Sequence, residues 1–222
     1  MPDLLVTGTD TGVGKTVVAA ALVMVLRQQG VRAIGFKPAE TGLDPGDVAD
    51  SMVLAEASGE DTPLASPILR LPEPLAPAVA ADRAGTQLNP QAIEDRIRAL
   101  RGAGYTVVVE GAGGLLVPLA WGYTVLDLAA RTGLEAVVVG RAGLGTLNHL
   151  ALTVEVLRAR AVSIRGIVLN GRHQPPDLAE ATNPAVLARL LPGIPVAVIP
   201  HHAAAGAIQA ARESVSFVAP LL

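Results

Sequence analysis

Cysteine is absent from the 222 residues, which excludes a disulfide framework and a thiol nucleophile. Aromatic residues supply only 2% of a chain that is 50% hydrophobic, so the core must be built from Val, Leu, Ile and Ala. Aliphatic runs of that kind suit parallel strands buried on both faces. There is no basic excess either. Seventeen Lys and Arg face 20 Asp and Glu, a formal net charge of −3, which argues against a nucleic-acid partner. The longest apolar run, 17–26, is too short to span a bilayer, and Met1-Pro2-Asp3 lacks the basic start of a signal peptide. These absences lead to the expectation of a cytoplasmic protein with no membrane partner, folded as one α/β domain over 1–222.

What is present is more specific. Gly8-Thr9-Asp10-Thr11-Gly12-Val13-Gly14-Lys15-Thr16 follows an apolar strand-like run and opens an apolar helix-like run. Its glycines permit positive φ and close approach of the backbone to a ligand. Amides converging on a helix N-terminus favour an anion. Lys15 adds a charge for β/γ-phosphates, and the Thr16 hydroxyl is suited to Mg²⁺. The standard phosphate-loop pattern calls for Gly at position 9, where this chain has Thr9. A plain Gly-rich turn is the alternative reading.

Strand-like runs at 4–7, 33–36, 107–109, 136–139, 166–169 and 196–199 alternate with helix-like stretches. The helices are predicted at 16–29, 48–57, 90–101, 125–131, 147–159, 184–190 and 207–213. Such alternation predicts a mostly parallel sheet with helices on both faces, of the P-loop nucleotide hydrolase type. Ligands in these sheets bind beyond the carboxyl ends of the strands. Two segments interrupt the rhythm: the Pro-rich 62–78, expected to be an irregular excursion facing substrate, and 172–184, expected to be a loop.

Chemistry-bearing residues recur at strand ends. Glu110 ends an apolar strand and precedes Gly111-Ala112-Gly113-Gly114, which suits a carboxylate ligand of Mg²⁺. The bland reading is a carboxylate capping loop amides. Lys37, before Pro38, reaches the same sheet edge as Gly8 and could stabilise charge on a transferring phosphoryl group. Its bland reading is a solvated strand-end Lys. Asp44, Asp47 and Asp50 cluster at a helix start, where carboxylates usually serve capping and at most one reaches a metal. Thr146 is expected to cap the helix that carries Asn148 and His149. Asn170-Gly171 ends the fifth strand, to meet a nucleobase edge or to hold a turn. His201 and His202 have no third metal ligand at useful spacing, which favours a loop role.

Taken together, the segments 7–16, Lys37-Pro38, Val109-Glu110-Gly111-Ala112-Gly113-Gly114 and Gly145-Thr146-Leu147-Asn148-His149 resemble the dethiobiotin synthetase family over most of the chain. Thr9 is an expected feature of that family. The resemblance implies ATP- and Mg²⁺-dependent ring closure. A vicinal diamine, 7,8-diaminopelargonate, takes up CO₂ as a carbamate, ATP phosphorylates the carbamate, and the second amine closes a cyclic urea. It implies Lys37, Lys15 and Thr11 as catalytic residues, and Gly12, Val13, Gly14, Lys15, Thr16 and Val17 as the phosphate cradle. Thr16, Asp50 and Glu110 would be the metal ligands, with Asp47 the alternative to Asp50. Gly111, Ala112 and Gly113 would join the nucleotide site, and Asn170, Gly171, Pro200, His201 and His202 would face the base. Thr11, Lys37 and Thr41 would meet substrate, as would Gly145, Leu147 and Asn148 across a homodimer interface. The chain departs from the family where an acidic residue commonly follows the final loop; His201, His202 and a run of Ala and Gly stand there instead.

Three other classes remain in view. Regulatory and partitioning ATPases of the same loop class resemble one another in carrying Lys at the position of Asp10, and Asp10 speaks against them. Amide-forming synthetases with a similar nucleotide half usually add a glutamine-using domain with a Cys nucleophile, which this chain lacks. A non-catalytic nucleotide module would leave Lys37 and Glu110 without a joint purpose.

Overall fold

The computed structural model describes residues 1–43, 46–60, 62–202 and 206–222. In chain order its elements are β1 Leu4–Gly8, α1 Lys15–Gln28, β2 Ala33–Phe36, β3 Ala39–Thr41, α2 Asp50–Ser58, β4 Leu69–Leu71, α3 Pro77–Arg83, α4 Pro90–Gly102 and β5 Thr106–Gly114. There follow β6 Pro118–Ala120, β7 Tyr123–Thr124, α5 Val125–Thr132, β8 Glu135–Arg141, α6 Thr146–Ala159, β9 Ile164–Arg172, α7 Leu178–Leu190, β10 Val196–Pro200 and α8 Ala207–Val218.

Six strands form the central sheet in the order β10-β9-β8-β1-β5-β2, every pair parallel. Period-2 alternation divides its apolar side chains between two faces. Leu5, Ile34, Val107, Val109, Val138 and Leu169 pack under α4, α5, α6 and α7. Leu4, Val6, Val108, Val137, Val139 and Val168 pack under α1, α2 and α8. Helix α1 lies almost wholly buried, because its Ala and Val side chains let it sit close to the sheet. The chain leaves central β1 for β2 on one side and later fills β8 on the other. The loop after β1 therefore sits at the point where strand order reverses, the usual ligand crevice of such sheets.

Where the chain is irregular in sequence, the structure is more regular than expected. Within 62–78, Leu69–Leu71 is free of Pro and pairs in parallel with Ala39–Thr41. Pro77 opens α3, where a missing N–H costs nothing. Helix α7 begins at Leu178, not at 184, so the expected second loop is shorter. Asp177 and Glu180 form a reciprocal capping box, and Pro184 is carried inside the helix. Helix α2 starts at Asp50 rather than 48, because Ala49 is extended, and α8 continues past 213 to Val218. Among the described residues no helix is long and apolar enough to cross a membrane.

Candidate active site

Gly8 is the last residue of β1, and the loop from Thr9 to Gly14 returns the chain to open α1 at Lys15. Gly12 and Gly14 take positive φ; Gly8 does not, contrary to the expectation for all three. Gly8 is instead needed for close packing, since a Cβ there would lie 2.8 Å from Val13 Cγ2. Gly14 is doubly constrained. Its φ is 94°, and a Cβ would fall 1.9 Å from Asn170 Nδ2. Asn170 in turn donates to the Val13 carbonyl at 3.0 Å. Asn170, on β9 two strands away from β1, thus props the phosphate loop, whatever else it meets. No side chain caps α1, so its first-turn amides remain available to an anion.

Charge gathers beside this loop. Lys37, one residue beyond β2, points its ammonium between two carboxylates. Its Nζ is 2.9 Å from Glu110 Oε1 and also donates to Asp50 Oδ2. The Thr16 hydroxyl contacts the same pair, 2.9 Å from Asp50 Oδ1 and 3.0 Å from Glu110 Oε1. Glu110 is 1% exposed and its second oxygen, Oε2, is buried with no hydrogen-bond partner. Lys15 turns back and donates to the Asp10 carbonyl at 3.0 Å.

Burial works against Lys37's charge, but the Glu110 and then the Asp50 carboxylates outweigh it, and the net shift is upward. For Glu110 burial is the largest influence and pushes its carboxyl up, with Asp50 adding to the push and Lys37 opposing it. The Glu110 Oε1 atom accepts from both Lys37 and Thr16, which holds the two side chains together. Burial also lowers Lys15, and Lys37 adds to that effect.

These groups line a cleft of about 550 Å³ together with Thr11, Gly12, Gly14, Val17, Ala112 and Gly113. Its opposite wall is Thr41 and the Pro74–Pro77 stretch, so the Pro-rich segment does face the cleft. The orphaned Glu110 oxygen, the Asp50 carboxylate and the Thr16 hydroxyl are hard donors of the kind Mg²⁺ prefers. Among the described residues no three His, Cys, Asp or Glu side chains cluster closely enough to hold a metal unaided.

Of the acidic candidates at the start of α2, Asp50 reaches Thr16 and Lys37; Asp47 is exposed, and Asp44 lies outside the described residues. Gly111 packs in the core, where a Cβ would meet Val125 at 2.8 Å. Gly145, Asn148 and the flanking Leu144, 93% exposed, stand on the surface outside the cleft, with Leu147 partly buried beside them. Thr146 is not the cap of α6. Gly145 holds that position with positive φ, and the Thr146 hydroxyl is buried without a partner. Gly171, Pro200, His201 and His202 also lie outside the cleft lining. His202 turns inward toward α8, with Nε2 3.1 Å from Ser214 Oγ and Nδ1 2.8 Å from Glu213 Oε2. His201 stacks on His173 with ring centroids 5.1 Å apart. The run 203–205 lies outside the described residues.

Two contributors escaped the sequence reading. Arg141, at the end of β8, reaches the Thr11 carbonyl at 3.2 Å. Glu40, buried in β3, accepts from the Ser51 amide at 2.7 Å. The only signal for Glu40 was its place between Lys37 and Thr41.

A central parallel sheet with an uncapped helix behind a glycine-rich loop, and a Lys–carboxylate cluster beside it, defines the phosphate-loop nucleotide-hydrolase class. The fold agrees with that of the septum site-determining protein MinD of Pyrococcus horikoshii, determined with Mg-ADP (TM-score 0.58, 18% identity, 99% of this chain and 94% of that one). It agrees too with a ParA family ATPase of Chlorobium tepidum (TM-score 0.55, 16% identity, 98% and 92%). A family model described as an AAA domain matches residues 3–208. At the level of sequence the likeness is narrower. The chain is 48% identical over 201 residues to the ATP-dependent dethiobiotin synthetase BioD of Anaeromyxobacter sp. (strain K), covering 90% of each chain. It is 46% identical over 198 residues to the same-named protein of Haloferax mediterranei, covering 89% of this chain and 83% of that one. The chain belongs to the ATP-dependent dethiobiotin synthetase family.

Proposed function

We propose that this protein makes dethiobiotin from 7,8-diaminopelargonate, CO₂ and ATP, and that the cleft beside Lys37 is where the carbamate meets the γ-phosphate. The observation that carries the reading is the convergence of Lys37, Thr16, Asp50 and Glu110 next to an open helix N-terminus.

In this reading one amine of the diamine adds to CO₂ and loses a proton, giving a carbamate. A carbamate oxygen attacks the γ-phosphorus, forming a carbamic–phosphoric anhydride and releasing ADP. The second amine then attacks the carbamoyl carbon, phosphate departs with the C–O electron pair, the attacking nitrogen gives up a proton to the departing phosphate or to water, and the cyclic urea closes. No protein nucleophile is required, so the residues act by positioning and by charge neutralisation. The amides of 12–17 and Lys15 hold the polyphosphate. Lys15 leaves the Asp10 carbonyl to do so. Lys37 bridges carbamate and γ-phosphate, where negative charge redistributes. Thr11 and Thr41 present hydroxyls to the carbamate and the diamine. Mg²⁺, held by Thr16, Asp50 and Glu110, would supply further neutralisation of the phosphate oxygens.

Gly145, Leu147 and Asn148 are not among the residues lining the cleft of their own chain, and we assign them to the diamine carboxylate of a second copy in a homodimer. Asn170, Gly171, Pro200, His201 and His202 border the adenine end. The whole of 1–222 would act as one catalytic unit.

The test is phosphate release with diamine, bicarbonate, Mg²⁺ and ATP, compared with each omitted. Turnover that needs both the diamine and bicarbonate is expected. Phosphate release indifferent to the diamine would reject the synthetase reading and leave a simple ATPase.

A further inference from the structure

Helix α2 carries Asp50 at its first position but has no local cap. The preceding residue is Ala49, which offers no side-chain acceptor. An uncapped first turn leaves amides unsatisfied and its geometry loose. The missing acceptor comes from another element. Glu40 of β3 accepts from the Ser51 amide on Oε1 at 2.7 Å and from the Ser51 hydroxyl on Oε2 at 2.9 Å. Arg70 of β4 closes the arrangement, with Nε 2.9 Å from Glu40 Oε2 and Nη2 2.8 Å from Ser51 Oγ. Glu40 is only 2% exposed, so its hydrogen bonds come from these donors rather than from water.

Ser51 is the neighbour of Asp50, whose carboxylate lies 2.9 Å from Thr16 Oγ1. A carboxylate that fixes the Ser51 amide therefore fixes where the Asp50 side chain leaves the helix. Glu40 also borders the cleft, but both its oxygens are already engaged. We propose that Glu40 is a positioning residue: it caps α2 from β3, with Arg70 as its clasp, and thereby sets the affinity of the Asp50–Thr16–Glu110 site for a divalent cation bound with nucleotide. This extends the proposed function only as far as its metal–nucleotide site. It would hold for any phosphate-loop enzyme built this way.

The experiment reads binding without the diamine: Mn²⁺ titrated by electron paramagnetic resonance in the presence of ADP, well below the melting temperature of each variant. Outer-sphere partners of metal ligands typically change affinity about 10- to 100-fold. Glu40→Ala is expected to weaken Mn²⁺ roughly 10-fold or more. Glu40→Gln keeps size and shape but turns a donor toward Arg70, and should weaken Mn²⁺ by about 3-fold or more. Arg70→Ala removes the clasp but leaves both Ser51 bonds to Glu40, and should weaken Mn²⁺ by less than Glu40→Ala does. Diamine KM at saturating Mg²⁺ should remain within about 2-fold in Glu40→Gln. Parental Mn²⁺ affinity in a folded Glu40→Gln overturns the proposal, even if Glu40→Ala fails to fold. A raised diamine KM with unchanged Mn²⁺ affinity overturns it too, making Glu40 a substrate contact. A protein that binds Mn²⁺ and ADP as expected yet ignores the diamine would sink the proposed reaction and leave this inference standing.

Discussion

Strands β2 and β5 are flanked by charge at both ends, and the two ends are built differently. At the amino end Arg32 precedes β2 and Tyr105 precedes β5, and both meet Glu60. Arg32 also lies over the Tyr105 ring at 4.0 Å and donates to its hydroxyl at 2.7 Å, while Arg27 takes the other Glu60 oxygen at 3.3 Å. Each carboxylate oxygen is used, in partly exposed surroundings. At the carboxyl end Lys37 follows β2 and Glu110 lies in β5, nearly sealed from water, with one carboxylate oxygen left unsatisfied. The amino end closes its own circuit. The carboxyl end gathers its charged groups on the lining of the cleft, within reach of a ligand.

Changes at the two ends should therefore separate cleanly. Lys37→Ala should have the largest effect, lowering kcat by about 10²–10³-fold as expected for loss of one transition-state charge partner; single-turnover phosphate transfer checks it. A rate within about 3-fold of the parent would remove Lys37 from the chemistry. Glu110→Gln should come next, raising the Mg²⁺ concentration for half-maximal rate by at least about 10-fold. An unchanged Mg²⁺ titration would make Glu110 a mere pairing group. Asp50→Asn, more exposed, should shift the same titration by a smaller factor, roughly 3- to 10-fold. Glu60→Gln should leave kcat and the Mg²⁺ titration untouched and alter only acid stability. The Tyr105 hydroxyl and then Arg32 hold the Glu60 carboxyl down to about 2. A depressed carboxyl adds stability above its ordinary value near 4.5 and loses it as pH falls toward about 2. Thermal melts over that window should flatten in Glu60→Gln. If its Mg²⁺ dependence moved as well, the two ends would not be independent.

Much of this was readable in the chain because the signals were local. Gly14-Lys15-Thr16 after an apolar strand places the phosphate loop whatever the tertiary context, and Val107-Val108-Val109-Glu110 brings its carboxylate to the same sheet edge. What was not legible depended on partners distant in sequence. The pairing of Leu69–Leu71 with Ala39–Thr41 needs both short strands to exist before either is recognisable. The Pro175-Pro176 pair and its polar neighbours suggest a loop up to 184, whereas the Asp177–Glu180 capping box opens α7 at Leu178 and Pro184 is carried inside it. Thr146 has the right residue type for a cap, yet Gly145 with positive φ already ends the loop. A share of the site from a second copy is implied only by the family resemblance; in the single chain Gly145 and Asn148 are exposed and Leu147 is half-buried.

The cap reaching α2 from β3 sits in a very short stretch of backbone. Lys37, Glu40 and Thr41 all line the cleft from within five residues, and Glu40 also caps a helix start. Side chains along a strand switch sides at every step, so adding or deleting one residue there would reverse the whole set at once. Drift in this protein should therefore run through replacement at 37–41 and not through change of length. Surface loops elsewhere should absorb insertions freely.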